Sequence, residues 1–258
     1  MSNLTTIIVT GASRGLGRAV ALHSIKHFNS NVLAIARSEK DLNSLKSQVE
    51  NEFGHKGRLE FVVGDVTDSS VVDAAVKQCL SSWGRLDGIV ANAGVLEPIG
   101  TIANTKLEDW KRHFDVNFFS IISFLQNAIP HLRESKGRVI AIASGAASYA
   151  YYGWGAYCTS KAALNSLISN LAVEEPDITS IAVRPGVMDT PMQKLVRAEH
   201  MLKEDYDKFV SLYENKTLVN PEEPAYVISG LVTGQPSKEL NGKFYSWDDP
   251  ELAGYRKK

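Results

Sequence analysis

The chain has 258 residues, 28 Lys and Arg against 29 Asp and Glu, and 44% hydrophobic residues. That length suits one large α/β domain or two small ones, and the apolar fraction is enough to build a core, which excludes a disordered tail. A net charge of −1 gives no long-range attraction for nucleic acid or an anionic membrane, and the two cysteines, Cys79 and Cys158, make no disulfide framework.

The first apolar run, Thr6–Val9, leads into Thr10-Gly11-Ala12-Ser13-Arg14-Gly15-Leu16-Gly17 and then a helical stretch, RAVALHSIKHF. A glycine-rich strand-to-helix turn lets main chain approach a pyrophosphate, and the helix N-terminus offers N–H groups and partial positive charge. Gly11, Ser13, Arg14, Gly15, Leu16 and Gly17 are thus candidate cofactor contacts, with a plain structural turn as the alternative. The second run, Asn31–Ala36, ends in Ala36-Arg37-Ser38, with no carboxylate where a NAD site places an acid for the ribose 2′-hydroxyl. Arg37 and Arg14 instead present two guanidinium groups suited to a 2′-phosphate, which favours NADP(H). Leu42, Leu45, Val49 and Phe53 then fall three and four apart, a helix stripe with Ser38 and Asp41 as a capping pair. The third run, Arg58–Val63, is followed by Gly64-Asp65-Val66. After a second stripe (Val71, Val72, Ala75, Val76, Leu80), the fourth run, Gly88–Ala91, is followed by Asn92-Ala93-Gly94. Taken alone, both tripeptides are ordinary turn chemistry.

Asn117 lies in a long predicted helix with an otherwise apolar face, a buried Asn that needs partners. Ser144 follows the fifth run, Arg138–Ala143, and a hydroxyl at the carboxyl end of a central strand can stabilise charge on a carbonyl oxygen. Tyr157 and Lys161 are four apart at the head of the next helix, on one face with Cβ atoms ~5–6 Å apart. The Lys161 ammonium is expected to lower the phenol pKa of Tyr157, making it a proton donor at neutral pH. Between Ser144 and Tyr157 stand Tyr149, Tyr151, Tyr152 and Trp154, an apolar wall for a bulky or aromatic ketone, or else core or subunit packing. The sixth run, Thr179–Val183, precedes Arg184-Pro185-Gly186-Val187-Met188-Asp189-Thr190. Residues of about 190–220 read as helical excursions placed to cover a site at the strand ends, and Lys243–Trp247 is the last strand. Strand–helix alternation without a linker or repeat predicts an α/β fold over residues 1–258: a single doubly wound Rossmann parallel sheet of about seven strands, helices on both faces.

The turn with Gly11, Gly15 and Gly17 resembles the TGxxxGxG turn of the classical short-chain dehydrogenase/reductase family, and the resemblance spans essentially the whole chain. It implies that Asp65 and Val66 touch the adenine, that Asn92, Ala93 and Gly94 brace the sheet beside the cofactor, and that Pro185, Gly186, Val187 and Thr190 hold the nicotinamide. It implies a catalytic set of Asn117, Ser144, Tyr157 and Lys161, with Asn117 holding a water linked to Lys161 and Lys161 also holding the ribose. The segments ANAGVLEPIG (91–100), VNFFS (116–120), WGAY (154–157) and SWDDPELAGY (246–255) are similar to a fungal benzil-reductase-like and sepiapterin-reductase-like branch.

The expected activity is an NADPH-dependent carbonyl reductase turning a ketone or vicinal diketone into a secondary alcohol, with Tyr151 and Trp154 against the substrate. A pterin-type reductase is the alternative, with Asp248 or Asp249 as anchor, although a cap or turn role suits those residues better. A non-catalytic NADPH-binding sensor is the alternative of another class. The resemblance also implies a homo-oligomer, dimer or tetramer. His23, His27, His55, His113, His131 and His200 show no zinc spacing, so no metal is expected. No secretory signal, lipidation ending (Tyr255–Lys258) or run of the ~20 apolar residues that span a bilayer is visible, and the expected location is cytoplasmic.

Overall fold

The computed structural model describes residues 4–198 and 203–257; His200, part of the 190–220 excursion and Lys258 lie outside the described residues. Strands β1 (Thr6–Thr10), β2 (Asn31–Ala36), β3 (Leu59–Val63), β4 (Gly88–Ala91), β5 (Arg138–Ile142), β6 (Thr179–Arg184) and β7 (Phe244–Ser246) pair in the order β3-β2-β1-β4-β5-β6-β7, all parallel. Their ends fall within a residue or so of the runs read from sequence. Alternate residues of each strand feed opposite cores, which is why the runs are apolar almost throughout. Ile7, Val9, Val32 and Ala34 face one side, and Ile8, Leu33 and Ile35 the other.

Helices α1 (Gly15–Lys26), α2 (Glu39–Asn51) and α9 (Glu222–Thr233) cover the first face. Helices α3 (Ser69–Trp83), α5 (Ser120–Ser135) and α6 (Gly155–Glu174) cover the second. The α2 start follows the capping expectation, with Asp41 N–H donating to Ser38 Oγ at 3.3 Å. Chain direction across the sheet reverses between β1 and β4, and the crevice at that switch point, outside the carboxyl ends of the strands, is the default ligand site.

The long helix expected around Asn117 is interrupted. Helix α4 (Leu107–Phe114) passes into a π turn, Asp115–Phe119, before α5 begins. Ser120 N–H reaches back to the Asp115 carbonyl, and the Ser120 hydroxyl donates to the Val116 carbonyl at 2.7 Å. Such widened turns recur at functional sites.

Beyond β6, the excursion is pinned at both stems. Met188 bridges to Val219 in parallel fashion, and Val219 N–H donates to the Val187 carbonyl at 2.9 Å. Helices α7 (Pro191–Ala198) and α8 (Lys203–Glu214) lie between those stems, above the strand ends. Among the described residues, no helix is long and apolar enough to cross a membrane.

Candidate active site

Thr10 and Asn92 staple the glycine turn to β4. Thr10 Oγ1 accepts the N–H groups of Asn92 and Ala93, each at 3.0 Å, and Asn92 Nδ2 donates to the carbonyls of Thr10 (2.8 Å) and Gly11 (3.3 Å). Gly17 sits under that staple. A Cβ there would stand 2.5 Å from both Asn92 Nδ2 and the Gly11 oxygen. Gly17→Ala is therefore expected to cost about 1–3 kcal/mol of stability through overpacking against fixed groups, measured as a lowered thermal midpoint. A variant melting with the wild type would remove the close approach as the reason for glycine.

The start of α1 is open to an anion. Arg14 is its N-cap, no side chain caps the helix, and the first turn carries no acid, so the leading N–H groups are left for a ligand. Arg37 leaves the end of β2 with its side chain 73% exposed, and its contact with Asp65 at 3.8 Å is too weak and solvated to hold it back. Asp65 is otherwise occupied locally, its Oδ1 accepting the Thr67 N–H at 3.0 Å and hydroxyl at 2.9 Å. These residues fit a dinucleotide: glycine backbone for close approach, an uncapped helix terminus for the diphosphate, and two guanidinium groups with no acid at the end of β2.

A cleft of about 980 Å³ runs across the strand ends. Ser13, Arg14, Gly15, Leu16, Arg37, Asp65, Val66, Ala93 and Gly94 line it, together with Ser144, Tyr157, Lys161, Pro185, Gly186, Val187 and Thr190. Of the sequence-derived cofactor and catalytic residues, Gly17 and Asn117 do not reach the cleft surface; each stands one layer behind it, under Gly11 and against Gly94 respectively. Strand order puts Arg37 and Asp65 at the β2–β3 end and Ser144 at β5, so phosphate and chemical ends are separated by the width of the central strands.

At the chemical end, Ser144 caps a short 3-10 turn, its Oγ accepting the Ala146 N–H at 3.2 Å, which leaves its own proton to donate. Tyr157 is buried and hydrogen-bonds Ser144 through its hydroxyl. The Lys161 ammonium donates to the Ile142 carbonyl at 2.7 Å and lies 5.8 Å from the centre of the Tyr157 ring. Burial pushes Lys161 down to about 8. Burial also pushes the Tyr157 phenol up, and the bond with Ser144 only opposes this. That differs from the expectation that Lys161 would depress it: both groups have left water, and the desolvation of a phenolate sets the direction.

Asn117 is fully buried and bound two-handed to Val95, its Oδ1 accepting the N–H and its Nδ2 donating to the carbonyl, both at 2.8 Å. Its second amide N–H points to His113 Nε2 at 2.8 Å. His113 as a partner of Asn117 is not among the expectations from sequence. Its i, i+4 relation to Asn117 on one helix face was the available signal.

The aromatic stretch divides. Trp154 is buried between Tyr151 (ring centres 4.9 Å), the edge of Tyr157 (5.8 Å) and Phe209 of α8, stacked at 5.7 Å and 25°. Tyr149 lines the mouth and is mostly exposed. Tyr152 is off the cleft: Trp154 N–H returns to the Tyr151 carbonyl in a turn with Gly153 at φ 77°, which carries Tyr152 to the outside. Leu96, Val196 and Phe209 complete this apolar cluster. Phe209 was not foreseen, because only the return of the excursion brings it to Trp154.

Cys158 packs against that cluster, and burial pushes its thiol up against the opposing effect of the Tyr151 main-chain N–H. Asp248 and Asp249 stay in a local turn, accepting from the Ser246 hydroxyl (2.5 Å) and N–H (2.7 Å), and do not line the cleft.

Residues 5–201 match the family described as short chain dehydrogenase. An uncharacterized oxidoreductase of Schizosaccharomyces pombe is 42% identical over 246 residues, covering 93% of this chain and 95% of that protein. A benzil reductase ((S)-benzoin forming) of Saccharomyces cerevisiae is 38% identical, covering 95% and 97%. The crystal structure of a short chain dehydrogenase/reductase from Saccharomyces cerevisiae superposes with a TM-score of 0.92 at 37% identity, over 98% of this chain and 100% of that one. The chain belongs to the short chain dehydrogenase family.

Proposed function

We propose that this chain is an NADPH-dependent carbonyl reductase that converts a bulky or aromatic ketone, or a vicinal diketone, to a secondary alcohol. The observation that carries the reading is one cleft joining three features: the Arg14–Arg37 end, the paired Ser144 and Tyr157 hydroxyls, and the Tyr151–Trp154–Phe209 wall. The similarity to a benzil reductase supports the same substrate class.

Arg14 and Arg37 would hold the 2′-phosphate, and the glycine turn and α1 the diphosphate. Asp65 and Val66 would border the adenine, with Asn92, Ala93 and Gly94 beside them. Pro185, Gly186, Val187 and Thr190 would hold the nicotinamide. When bound, the reduced nicotinamide supplies the hydride.

A carbonyl oxygen set between Ser144 and Tyr157 meets two donors, which stabilise it as negative charge develops. Tyr157 gives up its proton to that oxygen, and the Lys161 cation stabilises the phenolate left behind. Lys161 would also hold a ribose hydroxyl with donors that Ile142 does not use. The Asn117 side chain is committed to Val95 and His113, so a relay water on this residue would sit at its main-chain carbonyl. The described helices of the excursion, α7 and α8, would form the substrate cover, with Val196 and Phe209 as contacts to the wall.

A panel of aryl diketones, aryl ketones and small aliphatic ketones, followed by loss of NADPH absorbance, tests the reading. Aryl diketones are expected to turn over fastest. Tyr151→Ala is expected to raise KM about tenfold or more for aryl substrates, on the order of one ring's burial, and far less for aliphatic ones. Equal effects on both classes would sink the wall, and no consumption with any carbonyl would leave the NADPH-sensor reading. The pterin alternative loses its anchor, because Asp248 and Asp249 are spent on the Ser246 turn.

A further inference from the structure

His113 is almost fully buried and joins three pieces of chain that carry the catalytic groups. Its Nδ1 lies 2.7 Å from the Glu97 carbonyl, in the segment after β4. Its Nε2 lies 2.8 Å from Asn117 Nδ2 in the π turn and 3.0 Å from Ser160 Oγ on α6. Its ring meets the Tyr157 ring edge-on, with centres 6.1 Å apart.

The neighbours dictate where its proton sits. The Val95 N–H can only donate and the Val95 carbonyl can only accept, so the Asn117 amide has one orientation, with Nδ2 toward His113. Nε2 must then accept. The Glu97 carbonyl can only accept, so Nδ1 must carry the hydrogen. A second proton would turn the Nε2 lone pair into a donor; Ser160 Oγ could take it, but a fully buried amide N–H of Asn117 would lose its partner.

The charged surroundings act in the same direction. Burial holds the imidazole below its ordinary pKa against the Glu97 carbonyl, and the Lys161 cation on α6 adds to the lowering. Tyr157 of the same helix faces the imidazole with its ring, while Cys158 packs against the Trp154 cluster and Glu174 ends the helix. Glu97 contributes its carbonyl, and its own residue is exposed. On its own helix, Asp109 and Arg112 pair with each other on the outer side at 3.6 Å, while Lys111 and Asp115 are exposed.

We propose that His113 is a positioning residue, whose neutral Nδ1–H form locks the Asn117 turn to the Tyr157–Lys161 face of α6. The proposal rests on the reductase reading of Tyr157 and Lys161. It implies that activity falls on the acid side as the ring gains its second proton, below the ordinary histidine range.

The test compares His113→Leu and His113→Gln in the full chain. Leu removes both bonds and is expected to lower kcat about tenfold or more, as misplacement of reacting groups does, while the NADPH Kd stays within about threefold. Gln keeps an acceptor for Asn117 but cannot titrate. It is expected to retain kcat within about threefold while the acid limb of the kcat profile below about pH 6 flattens. Nitrogen-15 shifts of the wild-type ring should report a neutral Nδ1–H imidazole at about pH 6. Wild-type kcat in the Leu variant, an unchanged acid limb in the Gln variant, or an imidazolium at that pH would each overturn the proposal. If the Leu variant does not fold, the Gln profile and the ring shifts decide it. The expected ring signature in a chain that turns over no ketone would overturn the reductase reading instead.

Discussion

Tyr157→Phe is expected to lower kcat for ketone reduction by about 10³-fold, within the range general acids supply, while leaving NADPH affinity within about threefold. The substitution deletes one oxygen and keeps the ring, whose edge-on contacts with Trp154 and His113 hold the head of α6. Among the described residues lining the cleft, none but Ser144 and Lys161 stands beside Tyr157 with a proton to offer. Ser144 remains as a donor, but its hydroxyl would have to yield a far stronger base than a phenolate. Lys161 is tied to the Ile142 carbonyl. Steady-state turnover beside a fluorescence titration with NADPH separates chemistry from binding. Turnover at the wild-type rate in this variant would overturn the mechanism, whatever the substrate.

The double substitution Ala36→Asp/Arg37→Ser is expected to shift the ratio of kcat/KM for NADPH over NADH by about 10²–10³-fold toward NADH. A hydrogen bond to a charged group is worth about 1.5–3 kcal/mol, and each 1.4 kcal/mol is tenfold, so losing Arg37 supplies one to two decades. The new carboxylate at the end of β2 adds repulsion against a 2′-phosphate and an acceptor for a 2′-hydroxyl. Ala36 is suited to receive it, because it ends the strand with its main chain still paired, the Gly64 N–H donating to its carbonyl at 3.0 Å. Asp65, released from Arg37, would add to the negative field. Unchanged selectivity would show that Arg14 alone, or no guanidinium, reads the phosphate.

Much of this site was legible before any coordinates, for identifiable reasons. Strands buried on both faces announce themselves as continuous apolar runs, and site residues placed just after such runs, such as Arg37, Asp65, Asn92 and Ser144, inherit their positions from strand ends. Tyr157 and Lys161 share a helix face by spacing alone. What escaped depends on facts that spacing does not carry. The π turn was invisible because the apolar periodicity of α4 and α5 continues across it. Phe209 meets Trp154 only after the excursion returns to Val219. The direction of the Tyr157 shift depends on how much water the fold removes, and a sequence names a group's neighbours without giving their depth. Tyr152 shows the same limit, since the turn with one glycine at φ 77° decides which of two adjacent tyrosines lines the cleft.

The bridge between Met188 and Val219 makes the excursion after β6 a cassette. Both stems emerge from one point on the sheet, so residues between them can lengthen, shorten or change composition while the ends stay closed, and closure entropy rises only slowly with loop length. Apart from Thr190, the residues proposed for cofactor grip and proton transfer belong to strands, turns and helices outside the cassette. On that reading substrate range is largely uncoupled from catalytic power, and the segment can change while the sheet stands.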